Sequence, residues 1–142
     1  MKIEDVVRAK GTDVVTIAPS ANVRQLVDLL AEHNIGAVVV STDGRHIDGI
    51  VSERDVVRRL ASAGGLVLEA AVAEIMTRTV KTCAPSDSIE DAAREMTYSR
   101  IRHMPVVVND ELRALVSIGD VVKYRIDQLT DERNHLLGYL HK

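Results

Sequence analysis

The chain has 142 residues, 46% of them hydrophobic and 27% charged, with a formal net charge of −3, which suits one ordinary domain or two small ones sharing a core. Its single cysteine, Cys83, excludes an intramolecular disulfide framework, and an acidic balance with 2% aromatics argues against a nucleic-acid partner. The N-terminus MKIEDVVRAK has no apolar signal segment and no apolar run reaches membrane-spanning length, so a soluble, cytoplasmic protein without a membrane partner is expected.

In chain order, Val14, Val15 and Ile17 form a short extended piece that ends at Pro19. A helix follows, capped by Ser20 or Asn22, with Val23, Leu26, Val27 and Leu30 at i, i+3, i+4, i+7 on one face. IGAVVVS (35–41) is a continuous apolar strand, TDGR is turn chemistry, and DGIVS (48–52) returns as a hairpin partner. A second helix starts at Ser52 and carries Val56, Val57 and Leu60. Residues 62–76 form a linker that packs: a Gly-Gly break, then a helical pattern in Leu68, Ala71, Val72 and Ile75.

The same order then recurs. VVTIAPSANV (14–23) aligns with VKTCAPSDSI (80–89) at an offset of 66, which also carries Leu30 onto Met96, Ile35 onto Ile101 and Val39 onto Pro105. One residue fewer in the second turn brings GIVSERD (49–55) onto ALVSIGD (114–120) at an offset of 65. Each copy reads β-α-β-β-α, with Ser86 to Ser88 capping the helix of Ile89, Ala92, Ala93 and Met96, and RHMPVVV, the NDE turn and RALVS as its hairpin. The fold class is therefore α+β: two such units related by a pseudo-twofold, with small mixed sheets and helices on one face. The unit bounds are 7–66 and 73–142. The last helix carries a near-heptad stripe at 118, 122, 126, 129, 136, 137 and 140, which calls for a partner.

Ser-x-x-Asp at a helix start has a purely structural explanation, a capping box in which serine and aspartate satisfy each other's backbone amides. Its appearance twice, each time where a return strand turns into a helix, also places a hydroxyl and a carboxylate beside a helix N-terminus. A carboxylate there can accept from vicinal ribose hydroxyls, and the helix end favours phosphate.

VVTIAP…IGAVVV…GIVSERDVV and VKTCAP…IRHMPVVV…ALVSIGDVV, in this order and spacing, resemble a tandem pair of CBS (cystathionine β-synthase) domains in a stand-alone bacterial protein. The resemblance implies adenosine-containing ligands (AMP, ADP, ATP, NAD or S-adenosylmethionine) held in clefts between the units, and a signal passed to a regulated protein. It makes Asp55 and Asp120 the ribose acceptors, with Ser52 and Ser117 beside them. It makes Thr16, Ile17, Ala18, Ala37 and Val38, and Thr82, Cys83, Ala84, Met104 and Pro105, the adenine walls. Arg54, Arg102 and His103 are the candidate phosphate contacts, since a guanidinium fork grips two oxygens. Because the pseudo-twofold packing that the resemblance implies brings the two halves together, Arg54 is expected to serve the Asp120 cleft, the preferred site.

No nucleophile–base arrangement can be placed with a reason, and His33, His46, His135 and His141 show no metal-ligand spacing. The chain is thus expected to be a non-catalytic adenine-nucleotide sensor without catalytic cofactor or metal, acting as a homodimer on an unidentified protein. The alternative is a structural interaction protein with vestigial clefts.

Overall fold

A computed structural model describes residues 1–141. By contacts the chain forms two compact units: Asp13–Lys81 with Val108–Arg113, and Met1–Thr12 with Thr82–Val107 and everything from Ala114 onward. No described helix is long and apolar enough to cross a membrane.

The first unit contains β1 (Thr16–Ile17), α2 (Val23–His33), β2 (Ala37–Val40), β3 (Gly49–Ser52) and α3 (Glu53–Ala63); α1 (Ile3–Lys10) belongs to the other unit. β1 runs parallel to β2, with Ile17 opposite Val40, and β2 runs antiparallel to β3, with Ala37 opposite Ser52. α2 starts at Asn22, whose side chain accepts from Gln25 N at 2.8 Å while Gln25 Oε1 accepts from Asn22 N at 2.9 Å, so the cap is Asn22 rather than Ser20. Of the expected helical face, Val23, Leu26 and Leu30 are buried, but Val27 stands 37% exposed at the edge of the covered stripe.

The linker is part of this core. A 3-10 turn at Gly64–Glu69 buries Val67, and the short α4 (Val72–Ile75) buries Val72 and Ile75 against Ile17, Leu26 and Val51. The expected continuous helix through Leu68 and Ala71 is broken at Ala70, where the backbone is extended and its carbonyl accepts from Val23 N at 2.9 Å. Beyond α4 the chain bridges β3: Ile50 N donates to Thr77 O at 2.9 Å and Thr77 N to Ile50 O at 2.8 Å.

The second unit contains α1 (Ile3–Lys10), α5 (Ile89–Ser99), most of the hairpin β4 (His103–Val108) and β5 (Glu111–Ser117), and α6 (Ile118–Leu140). It repeats the first unit's local choices. Ser88, 66 residues after Asn22, caps α5 by accepting from Asp91 N at 3.0 Å. Asn34 and Arg100, again 66 apart, both end their helices in the left-handed region at φ 52° and 55°, and Ile35 N and Ile101 N donate back to Leu30 O and Met96 O, the Schellman pattern. The first strand of this copy shrinks to a parallel bridge, Cys83 to Val106, in the register of Ile17 and Val40. Asn109 and Asp110, both at positive φ, make the two-residue hairpin turn.

α1 has no counterpart among the expected elements, whose first unit begins at Val7, inside this helix. Ile3 and Val6 are fully buried, Ile3 N donates to Asp87 O and Glu4 N to Pro85 O, both at 2.9 Å. The helix thus contributes to the body built on the second repeat, although it precedes the first in sequence.

The turn between β2 and β3 is more ordered than its composition suggests. Asp43 Oδ1 accepts from Arg45 N and His46 N at 2.8 Å each, Asp43 Oδ2 lies 2.6 Å from His46 Nδ1, and Asp48 Oδ2 accepts from Thr42 N and Oγ1. His46 is therefore an ion-paired side chain of an exposed loop. Its partner Asp43, then Glu111 and Asp110, raise its pKa above 6.5, and the hydrogen bonds from His46 hold Asp43 far below the usual carboxylate range. The sign follows from linkage: the imidazolium's contribution is complete below pH 6.5 and lost as pH rises through the raised pKa, while Asp43's is present above the ordinary carboxylate range and lost in strong acid. NMR titration of the histidine ring protons should give His46 a midpoint above 6.5 that falls to the ordinary value in Asp43→Asn; a midpoint at or below 6.5 in the unmodified protein refutes the pairing.

Candidate functional site

Each Ser-x-x-Asp segment lies where a return strand passes directly into a helix. In the first unit Ser52 ends β3 and caps α3: Asp55 N donates to Ser52 Oγ at 3.4 Å, and Asp55 Oδ2 accepts from Ser52 N at 2.8 Å and Ser52 Oγ at 3.1 Å. In the second, Asp120 N donates to Ser117 Oγ at 3.1 Å and Asp120 Oδ2 accepts from Ser117 N at 2.9 Å. Both motifs are therefore capping boxes. Each carboxylate nonetheless uses only Oδ2 in its cap, and Oδ1 accepts nothing from the described residues.

A further backbone bond is shared. Glu53 N donates to Gly36 O at 2.9 Å and Ile118 N to Arg102 O at 2.7 Å, so in each unit the start of the central strand is tied to the N-terminus of the motif helix. This brings the segments 36–38 and 102–104 beside Ser52–Asp55 and Ser117–Asp120 respectively. Thr16 and Ile17 pair with Val39 and Val40, and Cys83 with Val106, farther along the central strand than the segments tied to the motif helices.

The side chains expected to wall adenine differ in what they can offer. Ala37, Val38, Met104 and Pro105 are buried, Val38 completely, so these positions present main-chain edges rather than side-chain surface. Ile17 and Cys83 are nearly as covered; burial, then the nearby Asp87, pushes the Cys83 thiol up to about 12, which makes it a neutral apolar group at any physiological pH. Thr82 and Ala18 are exposed, and Thr16 and Ala84 half-buried. Arg54 and Arg102 are exposed and His103 half-buried.

One site residue was missed in the sequence. Lys10, the last residue of α1, places Nζ 2.6 Å from Asp120 Oδ2 and 2.9 Å from Leu115 O. Burial raises the Asp120 pKa, but the hydrogen bond from Lys10, the Ser117 amide and the Lys10 charge outweigh it, and the carboxyl titrates below its ordinary range. The only available signal was the repeat itself, since the offset of 66 places Lys10 on Met76, a cation where the other copy has a thioether.

The fold is a tandem of two β-α-β-β-α copies, each closing on a Ser-x-x-Asp helix start. The model of the CBS domain matches residues 3–62 and 72–127, and the chain belongs to this family, whose paired domains are regulatory. It is 30% identical over 121 residues to the CBS domain-containing protein YhcV of Bacillus subtilis, covering 85% of this chain and 83% of that one. It is 39% identical over 104 residues, 73% of this chain, to a 33.4 kDa protein encoded in a ribosomal RNA operon of Thermofilum pendens, and spans 34% of that relative's length. Among solved structures, the CBS-domain containing protein ATU1752 of Agrobacterium tumefaciens superposes with a TM-score of 0.85 at 39% identity, covering 88% of this chain and 99% of that one. The CBS domain pair of protein MJ0100, solved in complex with 5-methylthioadenosine and S-adenosyl-L-methionine, shares the fold at a TM-score of 0.78 and 21% identity, covering 87% and 98%.

Proposed function

We propose that the chain is a non-catalytic regulatory module that binds adenosine-containing ligands, AMP, ADP or ATP in the first place and NAD or S-adenosylmethionine as further candidates. The observation that carries this reading is the duplicated carboxylate whose Oδ2 is committed to a cap while its Oδ1 accepts nothing from the described residues, at the N-terminus of α3 and again of α6. Asp55 and Asp120 accept the ribose hydroxyls, with Ser52 and Ser117 holding them in place. The strand edges at 16–18 and 36–38, and at 82–84 and 102–105, flank the base. Arg54, Arg102 and His103 meet the phosphates. The adenosine ligands of the MJ0100 pair support the ligand class.

The module works as a homodimer in the cytoplasm, acting on a separate regulated protein. Val122, Ile126, Leu129, Leu136 and Leu140 leave an apolar stripe along α6 that is 47 to 74% exposed, and the last turns of so long a helix have little to sustain them unless a partner covers that stripe. Ligand binding shifts the orientation of the bodies only as far as its affinities for the two states differ.

Calorimetric and thermal-shift titration with AMP, ADP, ATP, NAD and S-adenosylmethionine, with sedimentation equilibrium on the same samples, tests both parts. Saturation at a hundred times the dissociation constant adds about 2.7 kcal/mol, a shift of several degrees, on a species of twice 15.6 kDa. A folded dimer giving neither heat nor shift with any ligand favours the structural interaction protein with vestigial clefts; a monomer refutes the dimer alone.

A further inference from the structure

The two Ser-x-x-Asp subsites are made unequal by one residue outside both motifs. Asp120 Oδ2 receives Ser117 N at 2.9 Å and, in addition, the Lys10 ammonium at 2.6 Å, which is itself anchored to Leu115 O on the strand leading into the motif. Among the described residues, Asp55 Oδ2 receives only Ser52 N and Ser52 Oγ of its own cap. At the repeat-equivalent position stands Met76, whose side chain lies along the return strand beside Gly49, as that of Lys10 lies along the strand ending at Ser117. The uncharged thioether leaves Asp55 its full negative charge; Lys10 cancels that of Asp120.

A ribose diol is gripped best when both carboxylate oxygens accept, one from each hydroxyl. Each Oδ2 already takes two hydrogen bonds, so the copies differ in the donor: at Asp120 one of the two is the Lys10 ammonium, whose charge opposes the carboxylate across a half-exposed contact, with Lys10 at 43% and Asp120 at 27%. A pair so exposed is weak enough to be opened by a ligand. Its lysine sits at the free end of α1, immediately before Gly11 at φ 96°, while the buried Ile3 and Val6 hold the rest of the helix.

Resting on the adenosine-binding reading above, we propose that Lys10 is a displaceable internal counter-ion of Asp120, which sets the affinity of that subsite and makes it weaker for the same ligand than its unshielded form. Ligand capture at Asp120 requires the Lys10 ammonium to swing out, and Asp55 carries no such requirement. The apparent affinity at Asp120 is reduced by the fraction of time the contact is open.

The test compares the full chain with Lys10→Met, which keeps an unbranched apolar stem and reproduces the residue of the other copy. Both are made in an Asp55→Ala background so that calorimetry reads the Asp120 subsite alone, with adenosine and AMP as probes. Lys10→Met should bind each probe about fivefold more tightly, the factor expected for a weak exposed pair. Unchanged or weaker adenosine binding overturns the gate while leaving the ligand reading intact, and weakening confined to AMP overturns it by making Lys10 a phosphate contact. No binding of either probe to either protein, nor to the parent chain, overturns the adenosine reading itself. The pair is read independently by the carboxyl carbon resonance of Asp120, whose titration should move up toward the ordinary range in Lys10→Met; no movement overturns the shielding on which the gate depends.

Discussion

Asp120→Ala is expected to weaken adenosine-ligand binding at its subsite about 100-fold. The lost acceptor makes up to two charge-assisted hydrogen bonds, each worth about 1.5–3 kcal/mol, and each 1.4 kcal/mol is a factor of ten in affinity. The same substitution removes the partner of Ser117 N at 2.9 Å, half of a capping box, and should lower stability by about 1 kcal/mol. The two consequences are separable. Asp120→Asn keeps a side-chain oxygen for the cap but discards the charge, so it should recover most of the stability and little of the affinity. Denaturation and calorimetry on both variants decide the matter: a stability loss with unchanged binding would leave Asp120 as a cap and nothing more.

Gly49→Val should be among the most destabilising single substitutions in the chain, at about 3 kcal/mol, the upper end for overpacking a core, or roughly 10 °C in Tm for a chain of this size. A Cβ at Gly49 would stand 2.7 Å from Met76 Sδ and 2.8 Å from the Thr77 carbonyl oxygen. The thioether can turn aside, but the carbonyl is held by the Ile50–Thr77 bridge, with hydrogen bonds of 2.8 and 2.9 Å, and cannot. Position 114, the counterpart in the second copy, is a buried alanine, and among the described residues no isolated bridge of this kind flanks it. Chemical denaturation of Gly49→Val against the parent chain measures the cost; a loss below 0.5 kcal/mol would mean that the 76–77 segment yields freely and that the bridge is not what requires glycine.

Much of this molecule could be read without coordinates, because its determinants are local. The 66-residue offset, the cap candidates Ser20 or Asn22 and Ser86 to Ser88, the hairpins and the two helix starts at Ser52 and Ser117 all depend on residues within a few positions of one another, where hydrogen-bond reach and side-chain periodicity act directly. The exposed stripe on α6 was visible for the same reason. Pairings across long separations were not. α1 joins the body of the second repeat because Ile3 and Val6 find their apolar cover there, a choice made by packing rather than by propensity. Val27, Val57 and Leu60 satisfy helical periodicity yet stand 37 to 62% exposed, since periodicity defines a face but not how much of it a neighbour covers. Lys10 and Asp120 meet across 110 positions, and no spacing rule connects them. The repeated sequence determined that there would be two carboxylates at two helix starts; only the tertiary structure decided that one of them would be shielded by a lysine from the far end of the chain.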